Sequence, residues 1–160
     1  MNFQLYLIKT LGTFFGVGLL PSLQGTVASM ISAFLLYWLS LALNFSILIQ
    51  VIIFILIFAF SLLVVIKYDY KADNKDPSEI VIDEVLGVAL FMIALPLSSN
   101  PEIYSILSLL IFRFLDFFKP SVIYRFQIQG TKTAIILDDI MAGILTLILV
   151  ISLDTSFNRL

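Results

Sequence analysis

From Thr10 to Ile66 the chain carries no Asp, Glu, Lys, Arg or His. Such a run is too long for one bilayer crossing of about 20 residues and long enough for two. It predicts a helical hairpin, with a first span near Val27 to Leu43, a turn at Asn44-Phe45-Ser46 and a second span near Ile47 to Ile66. Charged residues make up only 12% of the 160 residues, against about 25% in soluble domains. Mean hydropathy is +1.10. The expectation is an integral membrane protein.

Three further apolar segments follow. Ile80 to Leu97 ends at Pro96 and the Ser98-Ser99-Asn100-Pro101 turn cluster; Ile103 to Leu115 is short; Ala134 to Leu153 is the last. The fold expected is an all-α polytopic membrane bundle of about five hydrophobic helices, forming one domain over residues 1–160. The N-terminal segment lacks the pattern of a cleaved signal peptide, because Lys9 is followed by glycines and then by the polar stretch Pro21 to Thr26. Phe3, Leu5, Tyr6, Leu7, Leu11, Phe14 and Phe15 give residues 1–20 the surface of an interfacial or re-entrant helix, or of a plain lipid anchor.

Basic residues orient the bundle. Lys67, Lys71 and Lys75 lie in one loop, and Arg113, Lys119, Arg125 and Lys132 lie in or beside another, so these loops are expected in the cytoplasm. The opposite connections contain no Lys or Arg, although Arg159 falls on the far side. The polar segments before the first and third spans, and the one between the fourth and fifth, then share the cytoplasmic face.

Against this apolar background two acidic pairs stand out. Asp83-Glu84 follows Ile80-Val81-Ile82, and Asp138-Asp139 follows Ile135-Ile136-Leu137. A charged side chain within a span costs about 2.5–3.5 kcal/mol on insertion scales, so two pairs imply a use for negative charge. The simplest user is a divalent cation. The chain has no Cys and no His, which excludes thiolate nucleophiles, phosphohistidine, imidazole bases and zinc held by sulfur or imidazole. Oxygen ligands suit magnesium, calcium or manganese, and magnesium is favoured because it takes one or two carboxylates beside water and phosphate oxygens.

Three constellations carry the chemistry. Gly16-Val17-Gly18-Leu19-Leu20-Pro21-Ser22-Leu23-Gln24-Gly25-Thr26 is a glycine-rich turn leading into a helix, with Thr26 the expected N-cap. Such a terminus offers N–H groups to a phosphate, and Gly25 and Thr26 are the residues placed for it. The alternative is a loop with a close-packing glycine face at Gly12 and Gly16. In Asp76-Pro77-Ser78-Glu79-Ile80-Val81-Ile82-Asp83-Glu84-Val85-Leu86-Gly87, proline suits a first helical turn, and Glu79 and Asp83 would share a face and grip one cation. Arg113, Asp116 and Lys119 recur every three residues, ending at Pro120, and could hold a phosphate or simply snorkel to the interface. Asp139 precedes Gly143 by four residues, as Asp83 precedes Gly87.

In this order the motifs resemble the phosphatidylglycerophosphatase A family: a Gly-rich Pro…Gly-Thr segment, Asp-Glu-x-x-Gly, Phe-Arg-x-x-Asp-x-x-Lys-Pro, and Asp-Asp-x-x-Ala-Gly. The likeness covers nearly the whole chain. It departs at Gln24, where the family commonly has proline, and at Ser29-Met30 in place of Ser-Leu. The resemblance implies a magnesium-dependent, multi-pass lipid phosphatase of the bacterial inner membrane, its site facing the cytoplasm. Its partners would be the bilayer and phosphatidylglycerophosphate, which it would convert to phosphatidylglycerol and phosphate; nucleic acid has no place in this scheme. Asp83, Glu84, Asp138 and Asp139 are then the candidates for metal binding and base catalysis, with Glu79 supporting. Arg113 and Lys119 would take the phosphate, and Asp116 would orient them. A carboxylate would either attack phosphorus or act as a base towards water.

The rival class is a small ion- or proton-coupled transporter, which would place its acids near the bilayer midplane. Here both pairs fall near the cytoplasmic ends of their segments. The Asp-Gly-x-x-Ala-Arg pattern of a lipid phosphotransferase is absent.

Overall fold

The computed structural model describes residues 3–68, 78–119 and 134–157. Lys71, Lys75, Asp76, Pro77, Pro120, Arg125, Lys132 and Arg159, on which parts of the sequence reading rest, lie outside the described residues. Regular structure among the described residues is entirely helical: α1 (Phe3–Gly12), α2 (Gln24–Ala42), α3 (Ile47–Lys67), α4 (Ile82–Met92), α5 (Pro101–Phe118) and α6 (Ala134–Phe157), with short 3-10 turns at Val17–Leu19 and Leu95–Leu97.

The two predicted helices form and are joined by the predicted turn, but both pack on α4 rather than on each other as a hairpin. Asn44 adopts φ 49 in the turn, a left-handed conformation that Asn tolerates better than most residues. Ser46 caps α3 by accepting from Ile49 N–H at 3.5 Å. Among the described residues, three helices are long and apolar enough to cross a membrane: α2, α3 and the Ile136–Ser156 part of α6. The 18 residues of α5 start at Pro101, suited to a first turn, but carry Glu102, Arg113 and Asp116.

The segment expected as a third span differs most from its prediction. Its helix, α4, has only 11 residues, roughly 16 Å, about half of a ~30 Å hydrocarbon core. Every residue of α4 except Glu84 is buried. It is the axis of the bundle, packed by α2, α3 and α6, while α5 lies against α6 and α2 and α1 lies against α3. Unbroken apolarity along α4 from Val85 to Met92 thus reflects burial in protein on all sides. Its last turn is tied down by Tyr104, whose hydroxyl donates to the Phe91 carbonyl at 2.7 Å.

Close packing relies on small residues. Ser29, Ser32, Ala33 and Ser40 form the buried stripe of α2, and the hydroxyls of Ser29 and Ser32 satisfy themselves on helix carbonyls. The tightest crossing is between α4 and α6. A Cβ on Gly143 would lie 2.9 Å from the Gly87 carbonyl oxygen, and one on Gly87 would lie 2.6 Å from the Phe112 ring. Phe112 is fully buried and also packs on Phe91, ring centroids 5.6 Å apart. One glycine therefore receives both α6 and α5.

Residues 78–81 form a strap that continues no helix. Val81 N–H donates to the Gly12 carbonyl at 2.9 Å, and Gly18 lies so close to the Glu79 carbonyl that a Cβ would sit 1.9 Å from its oxygen. The start of α2, the starts of α4 and α6 and the end of α5 meet at one end of the bundle, which gathers the charged residues there.

Replacing Gly87 or Gly143 by valine should destabilise the folded protein by about 1–3 kcal/mol through overpacking, well above the few tenths gained in helix propensity. Thermal unfolding in detergent should shift down by about 2–10 °C. Unchanged melting in both variants would mean that α4 and α6 do not cross there.

Candidate active site

The site is assembled from four helix ends. Asp83 and Glu84 occupy the first turn of α4, where the positive end of the helix dipole favours acids. Asp138 and Asp139 lie in the second turn of α6 and are 4% and 3% exposed, so neither is solvated from bulk water. Each helix thus presents an acid one turn before the glycine at which the two helices cross, and the crossing faces the acids towards each other.

Carboxylate oxygens of Asp83, Glu84 and Asp139 all lie within 4.8 Å of one another. Two carboxylates at that separation repel by about 3–4 kcal/mol at an effective dielectric of about 20. Glu84 Oε2 is buried and accepts no hydrogen bond from any described residue. Asp83 Oδ1 accepts the N–H of its neighbour Glu84 at 3.2 Å. Three clustered acids with an unmet acceptor fit a hard divalent cation, and an all-oxygen donor set suits magnesium, manganese or calcium.

Asp138, expected in the same cation-binding set, is held differently: Lys119 Nζ donates to its Oδ2 at 2.5 Å. Adjacent residues on a helix are rotated by about 100°, so Asp138 and Asp139 address different neighbours. Lys119 caps α5 with φ 39 and also lies 3.9 Å from Asp116. Burial lowers the pKa of its ammonium, but the bond to Asp138 and the charges of Asp138, Asp139 and Asp116 outweigh that and leave it raised. Lys119 is a cation at neutral pH.

Arg113 is fixed on both prongs. Its Nη1 donates to Asp116 Oδ2 at 2.7 Å, and its Nη2 donates to Thr26 Oγ1 at 3.1 Å. Nη1 also lies 3.4 Å from Ser29 Oγ, whose own proton goes to the Gly25 carbonyl. The Arg113-Asp116-Lys119 spacing does bring the three together, with Asp116 between the two cations. Ser29 was missed by the sequence reading; its only signal is its position three residues after Thr26, on the same face of α2.

Two other expectations are corrected. Thr26 is not the N-cap: α2 begins at Gln24 after Leu23, whose φ is 58, so Thr26 sits in the first turn with its hydroxyl available to Arg113. The first helical bond runs from Val27 N–H to the Leu23 carbonyl, which leaves the N–H groups of Gln24, Gly25 and Thr26 without helical partners. Glu79 does not share a helix face with Asp83, because the strap precedes α4. Its carboxylate instead accepts from the Tyr68 hydroxyl and lies 4.0 Å from Lys9 Nζ.

Gly25 has a steric role. A Cβ there would fall 1.9 Å from Glu84 Oε1, so only glycine lets that carboxylate reach the cluster. Acids and bases line one cavity of about 390 Å³, with Leu23, Gln24, Ser78, Ile80 and Phe117 completing its wall. One side can hold a cation and the other a phosphate, a pairing suited to phosphoryl chemistry.

No solved structure matches the chain. It is 26% identical over 146 residues, 91% of this chain and 92% of the other, to a Bacteroides thetaiotaomicron protein provisionally named a phosphatidylinositol-3-phosphatase. The family description "Phosphatidylglycerophosphatase A" matches residues 10–154, a span that includes every acid and base of the cavity, and the chain belongs to that family.

Proposed function

We propose that this protein removes the terminal phosphate of phosphatidylglycerophosphate in a magnesium-dependent hydrolysis, releasing phosphatidylglycerol and inorganic phosphate. The observation that carries this reading is the meeting, in one cavity at the end of an apolar bundle, of the Asp83-Glu84-Asp139 cluster with Arg113 and Lys119. Asp83, Glu84 and Asp139 would hold the cation, which when bound neutralises charge on the phosphoryl oxygens.

The remaining residues position and neutralise. Arg113, its fork set by Asp116 and Thr26, faces the non-bridging oxygens; Lys119, held by Asp138, adds a second positive charge where the leaving alkoxide develops. Free N–H groups at the start of α2 supply further donors. Hydrolysis breaks the bond between phosphorus and the glycerol oxygen and adds water across it, with a carboxylate of the cluster taking the water proton or attacking phosphorus itself. The setting we assign is the bacterial inner membrane, with the cavity on the cytoplasmic side. A transport pathway is less well supported, because the acids sit at one end and the core beyond them is filled by Phe91, Met92, Phe112 and Leu95.

The relative's name suggests a second substrate, a phosphatidylinositol phosphate. Both lipids present a phosphomonoester at the membrane surface, so the cavity chemistry suits either. Purified protein in detergent should release phosphate from phosphatidylglycerophosphate with magnesium and none with excess chelator. Asp83→Asn and Asp139→Asn should lower that release by about 10²-fold or more, and Asp138→Asn by about 10–100-fold, as for a group acting through its neighbour. Release only from phosphatidylinositol 3-phosphate would shift the substrate. Full activity in folded Asp138→Asn and Asp139→Asn variants would end the assignment of these acids.

Gly25→Ala provides a more selective check. The added carbon meets only the end of a flexible side chain, which can swing away, so melting should hold while activity falls about tenfold or more as Glu84 leaves the cluster. Undiminished activity would remove Glu84 from the cation site.

A further inference from the structure

A second concavity, about 470 Å³, lies between α2 and α5. Its floor is made by two small buried side chains, Ala33 and Ser105. Its walls are larger apolar groups, among them Met30 and Phe34 from α2 and Ile106 and Leu109 from α5. Small residues on facing helices normally let backbones close up. Here the bulky walls stand either side of them and a trough is left.

The trough lies one helical turn along α2 and α5 from the catalytic cavity, with no lining residue in common: Thr26 and Arg113 line the cavity, Met30 and Leu109 the trough. Met30 follows Ser29, the hydroxyl next to Arg113 Nη1, and Leu109 is one helical turn before Arg113. At the other end Glu102 closes it beside Tyr37. From Glu102 to Arg113, eleven steps along α5, the helix rises roughly 16 Å, about half of a ~30 Å hydrocarbon core and so the depth of one leaflet. We propose that the α2–α5 trough seats one acyl chain of the lipid whose phosphate occupies the cavity, lying parallel to the two helices that hold Arg113. This rests on the phosphatase reading for the identity of the headgroup.

The physical gain differs from that in a soluble protein. Acyl chains are already in hydrocarbon, so entering the trough brings no hydrophobic stabilisation. It brings contact and alignment: a chain held along α5 fixes where the phosphomonoester stands relative to Arg113 and the carboxylates, and small misplacements there are costly in rate. The trough therefore selects lipids by chain and orients them.

The test uses full-length protein in mixed micelles. Met30→Trp and Ile106→Trp, at positions 56% and 63% exposed, fill the trough without disturbing the core. The ratio of kcat/KM for dipalmitoyl over dibutanoyl phosphatidylglycerophosphate should fall about tenfold in both, and should hold in Ile55→Trp on the outer face of α3. An unchanged ratio in both trough variants, with melting preserved, overturns the proposal. A second arm does not depend on turnover: phosphatidylglycerophosphate with a diazirine on one acyl chain should label α2 and α5, and unlabelled phosphomonoester lipid should displace it where phosphatidylcholine does not. Displacement by phosphatidylcholine equally well makes the trough ordinary lipid contact and overturns the proposal. No phosphate release by the wild type, together with headgroup-selective labelling, would leave the trough standing and remove the phosphatase reading.

Discussion

The near-contact of Gly143 with the Gly87 backbone, 2.9 Å from an added Cβ to a carbonyl oxygen, is the constraint on which the site depends. Two helices that approach to backbone contact bring whatever lies one turn away into reach of each other. In α4 and α6 that residue is an aspartate. Larger side chains at either glycine would separate the axes, and the carboxylates of Asp83 and Asp139 would no longer lie close enough for one cation to bridge them. Gly87 also receives the Phe112 ring, so the placement of Arg113, the next residue, follows from the same contact.

Such a crossing concentrates negative charge in an apolar bundle, and the remaining polar residues are arranged in response. Lys119 answers Asp138, Asp116 stands between Lys119 and Arg113, and Thr26 takes the second prong of the guanidinium. Asp83, Glu84 and Asp139 are left facing one another, and no cationic side chain among the described residues is hydrogen-bonded or ion-paired to them. This separation of a cation-seeking half from an anion-seeking half distinguishes the cavity from a mere knot of salt bridges. A buried, mutually compensated cluster would hold the helices together and do nothing further.

Much of this could be read in the chain. Charge-free Thr10 to Ile66 announced two long apolar helices joined by a turn, and the Arg113-Asp116-Lys119 spacing announced one helical face because three-residue steps return to it. The echo of Asp83-Gly87 in Asp139-Gly143 was visible as a pattern, but a pattern along one dimension does not say that its two copies touch. Errors arose where local rules met tertiary contacts. Glu79 and Asp83 obey the four-residue spacing, yet Gly12 and Gly18 bind residues 79–81 as a strap, so no helix exists to put them on one face. Apolar Ile80 to Leu97 reads as a crossing because burial in lipid and burial in protein select the same residues.

By itself the sequence determined the class of the protein, the succession of helices, the all-oxygen character of any metal site and the small set of residues able to carry phosphoryl chemistry. The first three follow from composition and local periodicity, which are properties of neighbouring residues; the last follows from the order of motifs that the chain shares with its family. Tertiary structure alone decided which three of the four acids converge, that Asp138 belongs to Lys119, that Gly25 makes room for Glu84, and that α4 is an interior axis. Those outcomes depend on how closely helix axes approach and how far each helix is rotated, quantities set by packing between segments dozens of residues apart, which no local spacing encodes.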